Sequence, residues 1–174
     1  MGSLASLEAA AAAPARVERL VLIGTAAAMP VHAELLDAAK ENRHDAIDRV
    51  NLWGHGPRAG LGGSRVPGAW MAGIGERILE RAAPGVLHAD LAACAAYGGA
   101  LAAAAAIRAP TLVLQGTRDQ MTPMRGARQL AQAIPGAQLV SVEGAGHMLM
   151  AERPDEVRRA LAAHLQVGAG RTAN

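Results

Sequence analysis

Apolar and polar positions recur along the chain with two periods. Three runs are short and nearly continuous in apolar residues: residues 17–25 (VERLVLIGT), residues 111–115 (TLVLQ) directly after Pro110, and residues 138–142 (QLVSV). Runs of this length, bounded by turn formers, predict strands, and the Leu-Val-Leu-Ile centre of the first predicts burial on both faces of a sheet. The remaining pattern is helical. MGSLASLEAAAAAP opens the chain with helical spacing and ends at Pro14. After the second run, Thr122 and Pro123 supply an N-cap and a proline at the first helical position. Met124, Ala127, Leu130, Ala131 and Ile134 then make one apolar face, which Pro135-Gly136 ends. After the third, Pro154 starts a helix with Asp155 and Glu156 in its first turn and Val157, Ala160, Leu161 and Leu165 facing inward. Helix, strand, helix, strand, helix predicts an α/β protein with three parallel strands.

Residues 30–109 break this alternation. Helical spacing recurs in HAELLDAAKENRHDAIDRV, ERILERAA and DLAACAAYGGALAAAAAI, and no convincing strand interrupts it. The glycine-rich stretch GPRAGLGGSRVPG has neither G-K-[ST] nor a strand directly ahead of it, so it is expected to connect helices rather than cradle phosphate. A helical insertion between two parallel strands is placed to cover the carboxyl ends of those strands, where open α/β sheets bind ligands. The chain is therefore divided into a first helix and strand (1–29), a helical cap (30–109), the rest of the sheet layer (110–167) and a flexible tail (168–174).

Composition narrows the picture. The chain has 174 residues, is 51% apolar and lacks phenylalanine, so one domain is expected with a core of Ala, Leu, Val, Ile and Met. A net charge of +2, with Lys40 the only lysine and the arginines scattered among acids, gives no footprint for nucleic acid. Cys94 is alone, which excludes an intrachain disulfide and makes a reducing, cytoplasmic setting the expectation. No run of about 18 residues is free of charges or breakers, so neither a membrane span nor a membrane partner is expected. At the N-terminus a secretory signal is opposed by Glu8 and the lack of a basic stretch. Met1, Gly2 and Ser6 fit the loose acylation pattern M-G-x-x-x-[ST].

Two strand ends carry candidate chemistry. In LQGTRDQMTP, Gly116 turns the chain and Asp119 emerges just beyond the strand. In VSVEGAGHMLMAERPDEV, Gly144, Ala145 and Gly146 keep the loop narrow and place His147 past the strand terminus. Neighbouring parallel strands set such loops side by side. A carboxylate on one ring nitrogen fixes the imidazole tautomer and leaves the other nitrogen free to take a proton from a nucleophile. Taken singly, Asp119 also fits a turn or helix-cap residue, and His147 a satisfied loop histidine. His32, His44, His55 and His88, with Asp45, Asp48 and Asp90, match no compact ligand spacing and are expected on solvated helix faces; no metal is predicted. His164 is expected to pack within the last helix. Trp53, Trp70, Tyr97, Met121, Met148 and Met150 could line an acyl pocket, and Met148 and Met150 serve equally well as core.

A buried strand, G-x-x-D, T-P at a helix start, a further strand, then G-x-G-H-M and E-x-P-D-E-V leading into a terminal helix resembles the C-terminal half of the α/β-hydrolase fold family. The resemblance implies that Asp119 is the triad acid, His147 the triad base and residues 30–109 the cap, with no metal or organic cofactor. It also accounts for the opening stretch. The family's nucleophile elbow has the form G-x-S-x-G and turns into a helix of small residues; MGSLASLEAA resembles the segment just beyond the serine, with Met1 and Gly2 as the last two elbow positions. No G-x-S-x-G occurs in the chain, and Ser3, Ser6 and Ser64 are misplaced for the apex. The expectation is a serine-type hydrolase of an ester-like or other acyl small molecule, with this chain lacking the nucleophile and inactive alone, as a late-started gene product or a true truncation. The alternatives are carbon-carbon bond hydrolysis or cofactor-free peroxidation by the same triad, and a non-catalytic binding module. An unpaired apolar edge on the first strand predicts self-association.

Overall fold

A computed structural model describes residues 1–61, 63–64 and 66–166; the predicted tail, 168–174, lies outside them. In chain order its elements are α1 (Gly2–Ala12), β1 (Leu20–Ile23), α2 (Ala33–Lys40), α3 (His44–Gly54), α4 (Met71–Glu80), α5 (Val86–Ala96), α6 (Ala100–Ala106), β2 (Thr111–Gly116), α7 (Met124–Ala133), β3 (Gln138–Val142), α8 (Leu149–Glu152) and α9 (Pro154–Gln166). The strands pair in parallel in the order β1-β2-β3, with Leu20 opposite Thr111 and Leu112 opposite Gln138.

β1 is shorter than residues 17–25. It begins at Leu20, which lies opposite Thr111 and whose N–H reaches the Pro110 carbonyl at 3.0 Å. It ends where Gly24 takes a positive φ of 58°. Nor is it buried on both faces: Leu20 and Leu22 are buried, whereas Val21 and Ile23 are half-buried.

β2 is the centre of the sheet and all six of its residues are buried. Alternation sends Val113 into one core with Leu20 and Leu22, packed by α1, α6 and α7 through Leu7, Ala104 and Leu130. Leu112 and Leu114 face the other side, where Val142, Leu149 and Val157 close the layer. Helices thus cover both faces of the sheet, as parallel strands require. On α9, Leu165 is exposed and His164 buried, the reverse of the expected orientation for Leu165.

Between β1 and β2 the described residues are helical throughout and have a core of their own. Leu35, Ala38, Ala39, Ala46 and Leu91 gather α2, α3 and α5. The YGG stretch breaks the long Ala-rich helix into α5 and α6, bent by 74°, and α6 packs against α1 and α7. Among the described residues no single helix is long and apolar enough to cross a membrane.

Candidate active site

The loops after β2 and β3 lie side by side because their strands are paired, with Gly116 opposite Val142. Gly116 could not be replaced easily, since a Cβ there would sit 2.3 Å from the Gly146 carbonyl oxygen. This close approach brings the two predicted residues together. His147 Nδ1 stands 2.9 Å from Asp119 Oδ2.

Asp119 is built as an ionised acceptor. Its Oδ1 accepts the backbone N–H groups of Met121 (2.9 Å) and Thr122 (2.8 Å), and its Oδ2 accepts the Thr122 hydroxyl (2.7 Å) and the Gln115 amide (2.8 Å) as well as the imidazole. The side chain is fully buried. Burial pushes the carboxyl up, but the hydrogen bond and charge of His147, followed by the Thr122 donors, outweigh it and hold the group below its ordinary value. With Nδ1–H committed to Asp119, Nε2 is the ring atom left to exchange a proton.

Three residues that hold this pair escaped the sequence reading. Thr122 does not cap α7, which starts at Met124 with no side-chain cap; its hydroxyl lies between Asp119 and His147 Nδ1, 3.2 Å from the latter. Gln115 is buried at the end of β2, and its Oε1 accepts the Thr25 N–H at 3.1 Å, tying Asp119 to the end of β1. Gly24 lies under the imidazole, where a Cβ would approach Cε1 to 2.8 Å. Its signal was present as the Ile-Gly that ends the first apolar run.

His147 opens into a cavity of about 540 Å³. Met29, Val31, Leu35, Trp53, Leu91 and Met121 give it an apolar lining, and Met1, His32, Asp90, Cys94 and Thr122 also contribute to it. Of the residues expected to line a pocket, Trp53 and Met121 do so. Trp70 and Met150 are exposed, and Met148 packs toward Gly54. Tyr97 donates to Glu8 of α1, and burial together with that carboxylate pushes its hydroxyl up to about 12. Ser3 Oγ donates to the Ile23 carbonyl at 2.8 Å, Ser6 is exposed, and Ser64 Oγ bonds to the backbone of Val66.

The insertion holds a second polar cluster. Ligand atoms of His44, Asp48 and Glu76 lie within 4.8 Å of one another, but His44 Nδ1 is engaged by Asp48 and Nε2 by Glu80 at 3.0 Å. His55 is buried rather than solvated, with Nδ1 2.8 Å from the Asn51 carbonyl.

A family model described as TAP-like protein matches residues 92–172. The enol-lactonase of Burkholderia xenovorans superposes with a TM-score of 0.84 at 26% identity, over 95% of this chain and 63% of the lactonase. A thermophilic esterase gives 0.76 at 27% identity, over 94% of this chain and 62% of the esterase. A Mycobacterium tuberculosis protein provisionally named non-heme bromoperoxidase BpoC is 28% identical over 92% of this chain and 63% of its own length. The chain thus spans somewhat less than two thirds of these relatives.

Proposed function

We propose that the chain belongs to the α/β-hydrolase fold family, as its likeness to the lactonase and the esterase supports, and that Asp119 and His147 are the acid and base of a serine-type hydrolase that cleaves a small ester-like or other acyl molecule in the complete enzyme. The observation that carries this reading is the 2.9 Å contact between a buried carboxylate and an imidazole at adjacent strand ends, on the wall of a largely apolar cavity. The nucleophile is a serine on an elbow ahead of Met1, whose strand pairs along the open edge of β1. The serine oxygen attacks the acyl carbon as His147 Nε2 takes its proton. His147 then protonates the leaving group, and Asp119 stabilises the imidazolium without itself becoming protonated. Water completes the cycle by the same proton relay. Residues 30–109 supply the cap, with Trp53 and Leu35 forming part of the wall against which the acyl group rests.

The test is an N-terminally extended chain carrying Gly-His-Ser directly before Met1, together with the strand that leads to it, assayed on p-nitrophenyl butyrate. Turnover that depends on the added serine and on His147 is expected. An extended, folded protein without turnover would remove the hydrolase reading. The name of the mycobacterial relative favours one second reading, cofactor-free peroxidation by the same residues; bromide oxidation in the presence of hydrogen peroxide and acetate, lost in His147→Ala, distinguishes it.

A further inference from the structure

A buried carboxylate outside the Asp119–His147 pair joins two segments nearly a hundred residues apart. Glu152 closes α8 with 2% of its surface exposed. Its Oε1 accepts the Gly146 N–H at 2.9 Å, immediately before His147, and its Oε2 accepts the Gly56 N–H at 3.0 Å, just after α3. Beside it the Met148 N–H donates to the Gly54 carbonyl at 2.8 Å. The backbones meet too closely for side chains: a Cβ on Gly146 would lie 2.4 Å from Gly56 N, and a Cβ on Gly56 would lie 2.6 Å from Glu152 Oε2. An ionised carboxylate is expensive to bury unless its oxygens are hydrogen-bonded, and simple space-filling at this place would be met by leucine or methionine. The position instead holds a carboxyl group with one oxygen accepting from each segment.

We infer that Glu152 is a positioning residue. It fixes the His147 loop to the foot of the helical insertion, so that the orientation of the imidazole against Asp119 and the placement of the Trp53 wall are set together. Trp53 lines the cavity one residue before Gly54, and His147 lines it one residue after Gly146. The inference rests on reading His147 as the base, but its test needs no turnover.

The experiment is NMR on the full ¹⁵N-labelled chain, following the amides of Gly56 and Gly146 and the ring signals of His147 through a pH titration. Glu152→Gln keeps the size and places an amide donor where an acceptor is required. Exchange at both glycine amides should rise together by about tenfold or more, and the Nδ1 proton signal of His147 should shift while the ring signals of His88 do not. If Glu152→Gln lowers the melting temperature but leaves the His147 ring signals unchanged, the residue is structural only and the inference fails. Should the variant not fold, hydrogen exchange in the unaltered chain decides. Gly56 and Gly146 opening at one common rate supports the link, and unrelated rates overturn it. Absence of hydrolysis in the extended enzyme would remove the hydrolase reading and leave this result standing.

Discussion

The strand-end site and the helical insertion solve the problem of polar side chains in opposite ways. Around Asp119 the polar groups are buried and each oxygen of the carboxylate has its own donors, while Gln115, Thr122 and Glu152 reach across loops to other segments. In the insertion, Arg43 pairs with Glu41 and Asp45, and Arg49 with Glu34, all in solvent. A buried, fully bonded network has one geometry, because any departure leaves a polar group without a partner. Exposed pairs exchange freely with water and fix little. Orientation at the strand ends is therefore set by the sheet, and the insertion is tied to the sheet loops at Gly54 and Gly56.

The largest effect should come from cutting the network at its centre. Asp119→Asn keeps the shape but offers His147 the wrong hydrogen-bonding partner, so kcat of the extended enzyme should fall by roughly 10⁴-fold, as expected when the tautomer is misplaced. The folded structure should persist, read by an unchanged far-UV spectrum. A loss below about tenfold would mean that Asp119 does not orient the base.

Burial should rank next. Leu130 is fully buried among α1, α6 and β2, whereas Leu35 belongs to the smaller cluster of α2, α3 and α5, with half-buried Trp53 at its margin. Leu130→Ala should cost about 3–5 kcal/mol and Leu35→Ala about 2–3 kcal/mol, because the smaller cluster can close partly over the space left behind. Urea unfolding of both variants measures the difference, and equal losses would show that the insertion is packed as rigidly as the sheet.

This division also explains what could be read in advance. The strands were legible because consecutive apolar residues and the prolines around them are local signals, and the meeting of Asp119 with His147 was legible because each lies within a few residues of a strand end. Gln115, Glu152 and Gly24 were not, since their roles depend on partners 90, 96 and more than a hundred residues away. Thr122 was misread for a physical reason: a threonine before proline at a helix start is a good cap, and only the fold shows its hydroxyl taken by Asp119. The break between α5 and α6 had its signal in Tyr97-Gly98-Gly99, overridden by the surrounding alanines.

Two glycines separate backbone strain from site geometry. Gly24 and Gly85 both have positive φ, 58° and 85°, but a Cβ at Gly24 meets His147 whereas one at Gly85 meets nothing within 4 Å. Alanine at either position should cost about 1–2 kcal/mol from the left-handed conformation. Only Gly24→Ala should also move the imidazole, lowering kcat of the extended enzyme by about a hundredfold. Identical kcat for the two variants would show that the ring tolerates displacement.

The smallest effect is one of sign, and it divides the regions by pH. The Asp119 carboxyl is held below its ordinary value, so its contribution to stability is complete above the unfolded-state pKa and is lost as pH falls through the lowered folded value. His44 is the opposite case. Hydrogen bonds to Glu80 and then Asp48, with the charge of Asp48, raise its pKa, so its contribution is complete below the ordinary histidine value and is lost as pH rises through the raised one. His44 and Asp48 are solvent-exposed and Glu80 is half-buried, so salt should weaken this linkage, whereas the buried Asp119 should be little affected. Amide exchange monitored from acid to mildly alkaline pH, at low and high salt, reads both regions at once. Protection at Met121 and Thr122 should fall only on the acid side and independently of salt, and protection near the N-terminus of α3 should fall slightly as pH rises past the ordinary histidine value and only at low salt. A single common transition would mean that the two regions unfold as one unit and that the contrast between buried and exposed polar groups does not govern their stability.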